Sequence, residues 1–116
     1  MNHFHFPSAK LSETVDFYEH FFRFKRARVI RKTHILSGEN DFILAIDESG
    51  TAHTMPKEVH LGFRLKNEDE VKRLFQQMAH SGVPMAGPLL TPSNRATHFY
   101  CKDPSGNNIE VGWYEI

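Results

Sequence analysis

Arg95-Ala-Thr-His98-Phe-Tyr100-Cys-Lys-Asp103-Pro-Ser-Gly106-Asn-Asn-Ile-Glu110-Val-Gly-Trp113 reads as a strand, a tight turn and a second strand. Pro104 suits the first central position of a turn, and Gly106 a position of positive φ. Side chains alternate across a strand, so Ile109, Val111 and Trp113 share one face while Asn108, Glu110 and Gly112 share the other. On the first strand Phe99 and Cys101 alternate with His98, Tyr100 and Lys102 in the same way. The hairpin thus has an apolar face and a face carrying a carboxylate, an imidazole and a phenol. A solvated face has the same pattern, and the rest of the chain decides whether this one meets water or lines a site.

Upstream, residues 83–90 predict another short strand, and Gly82 with Pro84 predict the stop of a helix whose apolar face is Val71, Leu74, Phe75 and Met78. Asn67, followed three residues later by Glu70, resembles a capping box at that helix's start. Before it the stretch Val59 to Leu65 alternates, with Val59, Leu61, Phe63 and Leu65 on one side and His60, Gly62 and Arg64 on the other. The polar, turn-rich run Asp47 to Pro56 separates these elements from an earlier set in the same order. There, His3 and His5 alternate with Phe4 and Phe6 in a short strand. Leu11, Val15, Tyr18 and Phe22, with Phe17 and Phe21 beside them, predict a helix over residues 11–22, with Ser12 and Glu13 as its N-terminal signals. Strands follow on both sides of the turn Ser37 to Asp41, the second over Phe42 to Ile46; the basic run Arg23 to Lys32 has no single parity and reads as a solvated strand. Strand, helix and three strands therefore occur twice in one domain spanning residues 1–116, as module 1 (about 1–50) and module 2 (about 57–116). The fold class is α+β: paired βαβββ modules forming a curved mixed sheet with the helices on its outer face.

Composition narrows the partners. The chain has 116 residues, enough for one core, and its 14 basic and 14 acidic side chains cancel, so no global field favours nucleic acid or an anionic membrane. The single Cys101 forms no internal disulfide, and no apolar run has membrane-spanning length or the look of a secretion signal, which points to a reducing, cytoplasmic setting. Eight scattered histidines are the unusual count. By parity, His3, His5, His60, Arg64, His98, Tyr100 and Glu110 fall on the sheet face away from the helices. Two imidazoles and one carboxylate drawn from separate strands make a facial triad with positions open for water or substrate. The donor set suits Fe, Mn, Zn, Ni or Co alike. Taken singly, each of these histidines is an ordinary polar surface residue; the equivalent places of His3 and His60 in the two modules argue for reading them together.

The repeat, the opening Asn2-His3 ahead of Phe17-Tyr18, the His60 strand and the closing Phe99-Tyr100…Asp103-Pro-Ser-Gly-Asn…Ile109-Glu110 resemble the vicinal oxygen chelate superfamily along essentially the whole chain. That superfamily includes glyoxalases, fosfomycin-resistance proteins, extradiol dioxygenases and bleomycin-resistance proteins. The resemblance implies a divalent-metal-dependent enzyme, with His3, His60 and Glu110 as ligands, acting on a small oxygen-chelating substrate by isomerase, lyase, thiol transferase or dioxygenase chemistry. It also implies a homodimer in which a site can draw on both subunits. Tyr100, His98 and His5 are the catalytic candidates, and Arg64 the candidate for binding an anionic group of the substrate. The alternative is a metal-free small-molecule-binding protein of the bleomycin-resistance type. Departures from the family patterns leave the reaction open. No carboxylate stands in Phe42 to Ile46 where glyoxalase I has its fourth ligand, Leu90 to Asn94 lacks the basic residues of the fosfomycin enzymes, and Ala45 and Thr91 occupy the places of the dioxygenases' acid/base histidines. His98 or His5 is left to take that part. Cys101, on the apolar parity, reads as a core residue and not a nucleophile.

Overall fold

The computed structural model describes residues 3–115. They divide into two compact units, one ending at residue 54 and the other starting at residue 55, each built as strand, helix and three strands.

In the first unit β1 (His3–Ser8), α1 (Leu11–Phe22), β2 (Lys25–Ile30), β3 (Thr33–Ser37) and β4 (Ile43–Glu48) give a sheet of order β1-β4-β3-β2. β1 and β4 run parallel, and the other pairs are antiparallel. The alternation predicted for β1 is realised: Phe6 and Ser8 are buried while His3, His5 and Pro7 are exposed. Phe6, Leu36, Leu44 and Ile46 form the buried side. Tyr18 is fully buried on α1, and its ring meets those of Phe6, Phe17, Phe22 and Phe24 at 5.1–6.3 Å between centroids. Offset and edge-on pairs at such spacings each add about 0.5–1.5 kcal/mol beyond the area they bury. Ser12 does not cap this helix. The helix starts at Leu11, and the first turn is closed instead by Thr14, whose hydroxyl donates to the Lys10 carbonyl at 2.7 Å, while Ser8 Oγ accepts from the Lys10 N–H at 3.0 Å. β2 is exposed along its whole length, as its mixed parity predicts, and Arg26 there is tied to Asp16 and Glu19 of α1.

In the second unit β5 (Leu61–Arg64), α2 (Glu68–His80), β6 (Leu90–Ser93), β7 (Ala96–Lys102) and β8 (Asn108–Tyr114) give the order β5-β8-β7-β6, with β5 and β8 parallel. Asn67 caps α2 as predicted: its side chain accepts from the Glu70 N–H at 2.9 Å, and Glu70 Oε2 accepts in return from the Lys66 N–H at 3.3 Å. Val71, Leu74 and Met78 are buried, and Phe75 sets its ring edge-on to Phe99 of β7 at 5.3 Å. On the hairpin Phe99, Cys101, Ile109 and Val111 are all buried.

The turn between β7 and β8 is organised by Asp103, only 3% exposed. Its Oδ1 accepts from the N–H groups of Ser105 and Asn107, both at 2.9 Å, and its Oδ2 from the Asn107 side-chain amide at 2.8 Å. The Gly106 N–H closes the turn on the Asp103 carbonyl at 3.0 Å, and Gly106 takes the positive φ (89°) its place demands.

Two expectations are corrected here. Of the predicted strand 83–90, residues 83–89 contribute only a bridge at Met85 opposite Cys101, and the strand proper is Leu90–Ser93. Pro84 and Pro88 offer no N–H to a ladder and Gly87 turns to φ 116°, so regular pairing starts only beyond them. Val59 is 50% exposed instead of facing the core. β5 begins at Leu61, and the segment before it is pinned separately: the Asn108 side-chain amide donates to the carbonyls of Pro56 and Val59, each at 3.0 Å. No described helix is long and apolar enough to cross a membrane.

Candidate functional site

Strand register in the second unit sets the site. Gly62, Glu110 and Tyr100 stand abreast across β5, β8 and β7, and the next polar row is Arg64, Gly112 and His98. His60, immediately before β5, reaches the same face. Its Nε2 lies 3.3 Å from Glu110 Oε2. The Glu110 carboxylate also accepts from the hydroxyls of Tyr114, on Oε1, and of Tyr100. His98 stacks on Tyr114 (centroids 5.9 Å apart, planes at 28°) and stands edge-on to Tyr100 at 5.6 Å, while His60 meets Tyr100 edge-on at 5.7 Å. His98 Nδ1 is buried and has no hydrogen-bond partner among the described residues. Beside Glu110, on β5, Gly62 leaves open space: a Cβ there would have no neighbour within 4 Å.

The electrostatics follow from these contacts. Burial alone pushes the Glu110 carboxyl up, but hydrogen bonds from Tyr114 and Tyr100 and the nearby imidazoles of His60 and His98 outweigh it and hold Glu110 below the usual carboxylate range. The same bonds act oppositely on the phenols. Tyr100 is raised by its bond to Glu110 and then by burial; Tyr114 is raised by burial first and then by Glu110. Near neutral pH the group is therefore an ionised carboxylate held by two protonated phenols.

Of the residues predicted from sequence, the structure brings His60, Glu110, Tyr100 and His98 together. Arg64 lies on the same face, exposed, with Nη2 donating to the Tyr114 carbonyl at 2.9 Å. His5 and His3 belong to the first unit. His3 opens β1, abreast of Ile43. His5 Nε2 is 2.8 Å from Asp47 Oδ2, and Asp47 Oδ1 accepts from the Thr33 hydroxyl. The Thr33 bond first, and then the His5 bond, hold the Asp47 carboxyl low. Among the described residues no three His, Cys, Asp or Glu side chains gather at metal-ligating range.

A family model described as Glyoxalase/Bleomycin resistance protein/Dioxygenase superfamily matches residues 1–111. The chain belongs to the glyoxalase/bleomycin resistance protein/dioxygenase superfamily. Solved structures agree on the fold of this superfamily member. It is similar to the genomically encoded fosfomycin resistance protein of Listeria monocytogenes (TM-score 0.86, 16% identity, covering 100% of this chain and 93% of that one). It is also similar to a possible glyoxalase from Bacillus cereus (0.82, 22%, 96% and 96%). A third likeness is to lactoylglutathione lyase from Agrobacterium tumefaciens (0.76, 15%, 97% and 92%). At these identities the likeness establishes architecture alone. No curated protein sequence matches the chain.

Sequence reading passed over three residues that this superfamily member places at its polar faces: Tyr114, Asp47 and Thr33. Tyr114 shares the parity of Glu110 four residues on, a signal present in the sequence. Asp47 and Thr33 are register partners, which only strand pairing reveals. Cys101, by contrast, is where parity put it, 1% exposed, and burial followed by the charge of Asp103 pushes its thiol up to about 12. Only the thiolate is an effective nucleophile, so at pH 8 a thiol reagent such as iodoacetamide is expected to leave the folded protein unmodified and to label it rapidly in denaturant, read by intact mass.

Proposed function

We propose that this protein is a divalent-metal-dependent enzyme acting on a small oxygen-chelating substrate, with His60 and Glu110 as two ligands and His3 as the third. The observation that carries this reading is the pairing of His60 with an ionised Glu110. Ligand bonds of about 2.0–2.2 Å put neighbouring donors on one ion about 3.0–3.5 Å apart, and the 3.3 Å between His60 Nε2 and Glu110 Oε2 fits that spacing. Family membership supports it as well, since the closing Ile109-Glu110 motif lies inside the matched span.

A bound divalent ion would supply Lewis acidity toward a substrate oxygen. The chain's own residues supply the rest. Tyr100 offers a hydroxyl beside Glu110 to orient a substrate oxygen; His98, whose Nδ1 has no partner among the described residues, is a group on the same face able to take or give a proton. His5, oriented by Asp47, is the second proton-carrying candidate, and the exposed guanidinium of Arg64 suits an anionic substituent. Reaction types compatible with this set are isomerisation, elimination, thiol transfer and, with iron, ring cleavage. We place the protein in the cytoplasm as a homodimer, a reading that rests on its single unpaired, buried Cys101 and on the family.

The rival reading, a metal-free small-molecule binder, is favoured by the fact that, among the described residues, no three His, Cys, Asp or Glu side chains gather at metal-ligating range. Metal analysis by mass spectrometry on untagged protein separates the two. Near-stoichiometric transition metal in the wild type, lost in His60→Ala and in His3→Ala, is the expected result. No uptake of Fe, Mn, Zn, Ni or Co after incubation with each would sink the enzyme reading and leave the binding protein.

A further inference from the structure

Gly112 and Tyr114 lie beyond the 1–111 span of the family match, yet together they determine how Glu110 is presented. The Tyr114 ring lies across Gly112. A Cβ at position 112 would stand 2.8 Å from Tyr114 Cε2, 2.9 Å from its hydroxyl oxygen and 3.0 Å from Cζ, so the ring would have to shift to admit it. In its present place that ring is stacked on His98. The hydroxyl so positioned donates to Glu110 Oε1, while Oε2 faces His60. Tyr114 thereby takes Oε1 while Oε2 stands toward His60, and the Tyr100 hydroxyl is a second donor to the same carboxylate.

We propose that Tyr114 is a positioning residue for the metal centre, holding Glu110 so that a single oxygen faces the ion beside His60, with Gly112 as the gap that admits its ring. The proposal rests on the function proposed above. Its physical content is that a carboxylate tied by one oxygen is oriented before the ion arrives and cannot swing to offer both. Without the Tyr114 phenol, Glu110 keeps only its bond from Tyr100, loses the tie on Oε1 and is free to turn that oxygen toward a second coordination position. Hydrogen-bond partners behind a ligand typically contribute about 10–100-fold in metal affinity.

The experiment compares full-length wild type with Tyr114→Phe, Gly112→Ala and the double variant. Co(II) affinity is measured by calorimetry, the visible absorption of bound Co(II) reports coordination, and thermal melting of the metal-free protein reports stability. Tyr114→Phe keeps the ring and its packing. It is expected to weaken Co(II) binding by about 10–100-fold, to change the visible spectrum and to leave the metal-free melting temperature at the wild-type value. Gly112→Ala is expected to reproduce that loss by displacing the ring, and the double variant to be no weaker than Gly112→Ala alone, because both changes remove one interaction. A Tyr114→Phe protein with wild-type affinity and spectrum overturns the proposal, whatever happens to its stability, and does so even if Gly112→Ala fails to fold. Wild type that takes up no Co(II) overturns the proposed function together with this inference; wild type that binds with Tyr114→Phe unchanged overturns the inference alone.

Discussion

Asp103→Ala is expected to lose about 2–4 kcal/mol of folding stability, seen as a lower urea midpoint with an unchanged slope. The carboxylate is 3% exposed and accepts three hydrogen bonds from Ser105 and Asn107 at 2.8–2.9 Å. Hydrogen bonds to a charged acceptor contribute about 1.5–3 kcal/mol each, reduced here by the cost of keeping that charge buried and by their acting as one unit. Alanine removes the acceptor while the donors stay inside the turn. Because β7 and β8 are the central strands of their sheet, the loss spreads into the register that aligns Tyr100 with Glu110. Against a typical total of about 5–15 kcal/mol for a domain, such a loss is large. Asp103→Asn retains an acceptor for the two main-chain N–H groups, so its loss is expected to be about half as large or less. Equal losses for the two variants would mean that the charge, and not the acceptor geometry, holds the turn.

Asp103 also shows how far the chain can be read without coordinates. The hairpin was legible because period-2 alternation and the Pro104 and Gly106 turn chemistry are local, and local rules act on neighbouring residues. The two helices were legible for the same reason, through the faces of Val15-Tyr18 and Val71-Leu74-Met78. Legibility stopped where nonlocal pairing decides. Residues 83–90 have strand-like composition, but their prolines withhold N–H groups and the pairing moves to Leu90–Ser93. Val59 fits the alternation of β5, but Asn108, some fifty residues away in sequence, captures the segment before the strand and leaves Val59 in water. The polar face was legible as a set of parities: Glu110, Tyr100 and His98 on the hairpin, and His60 on the next element. The separations within that set follow from register, as does the His5–Asp47 pair in the other unit. Nothing local in a tyrosine at position 114 says that its ring folds back over a glycine two residues earlier and reaches Glu110.

Glu110→Gln is expected to do the reverse of Asp103→Ala, abolishing measurable metal binding, a fall of more than about a hundredfold, while shifting stability by less than about 1 kcal/mol. The two carboxylates sit on one hairpin and both accept hydrogen bonds, but their surroundings differ. Asp103 is enclosed by the turn it organises. Glu110 keeps an open flank at Gly62, and its charge is disfavoured by burial even though the hydroxyls of Tyr114 and Tyr100 and the imidazoles of His60 and His98 offset that cost. Glutamine preserves the shape and one acceptor oxygen for a tyrosine, and it removes the desolvation cost together with the charge, so the terms that set stability largely cancel. The term that binds a cation does not cancel. Loss of the charge has a second readout that needs no metal. Tyr100 and Tyr114 are both raised in part by Glu110, so in Glu110→Gln their hydroxyls are expected to ionise at lower pH than in the wild type, followed by ultraviolet titration. If Glu110→Gln instead destabilised the chain as much as Asp103→Ala and left metal uptake intact, Glu110 would be a structural carboxylate whose ties to Tyr114 and Tyr100 serve only to satisfy a buried charge.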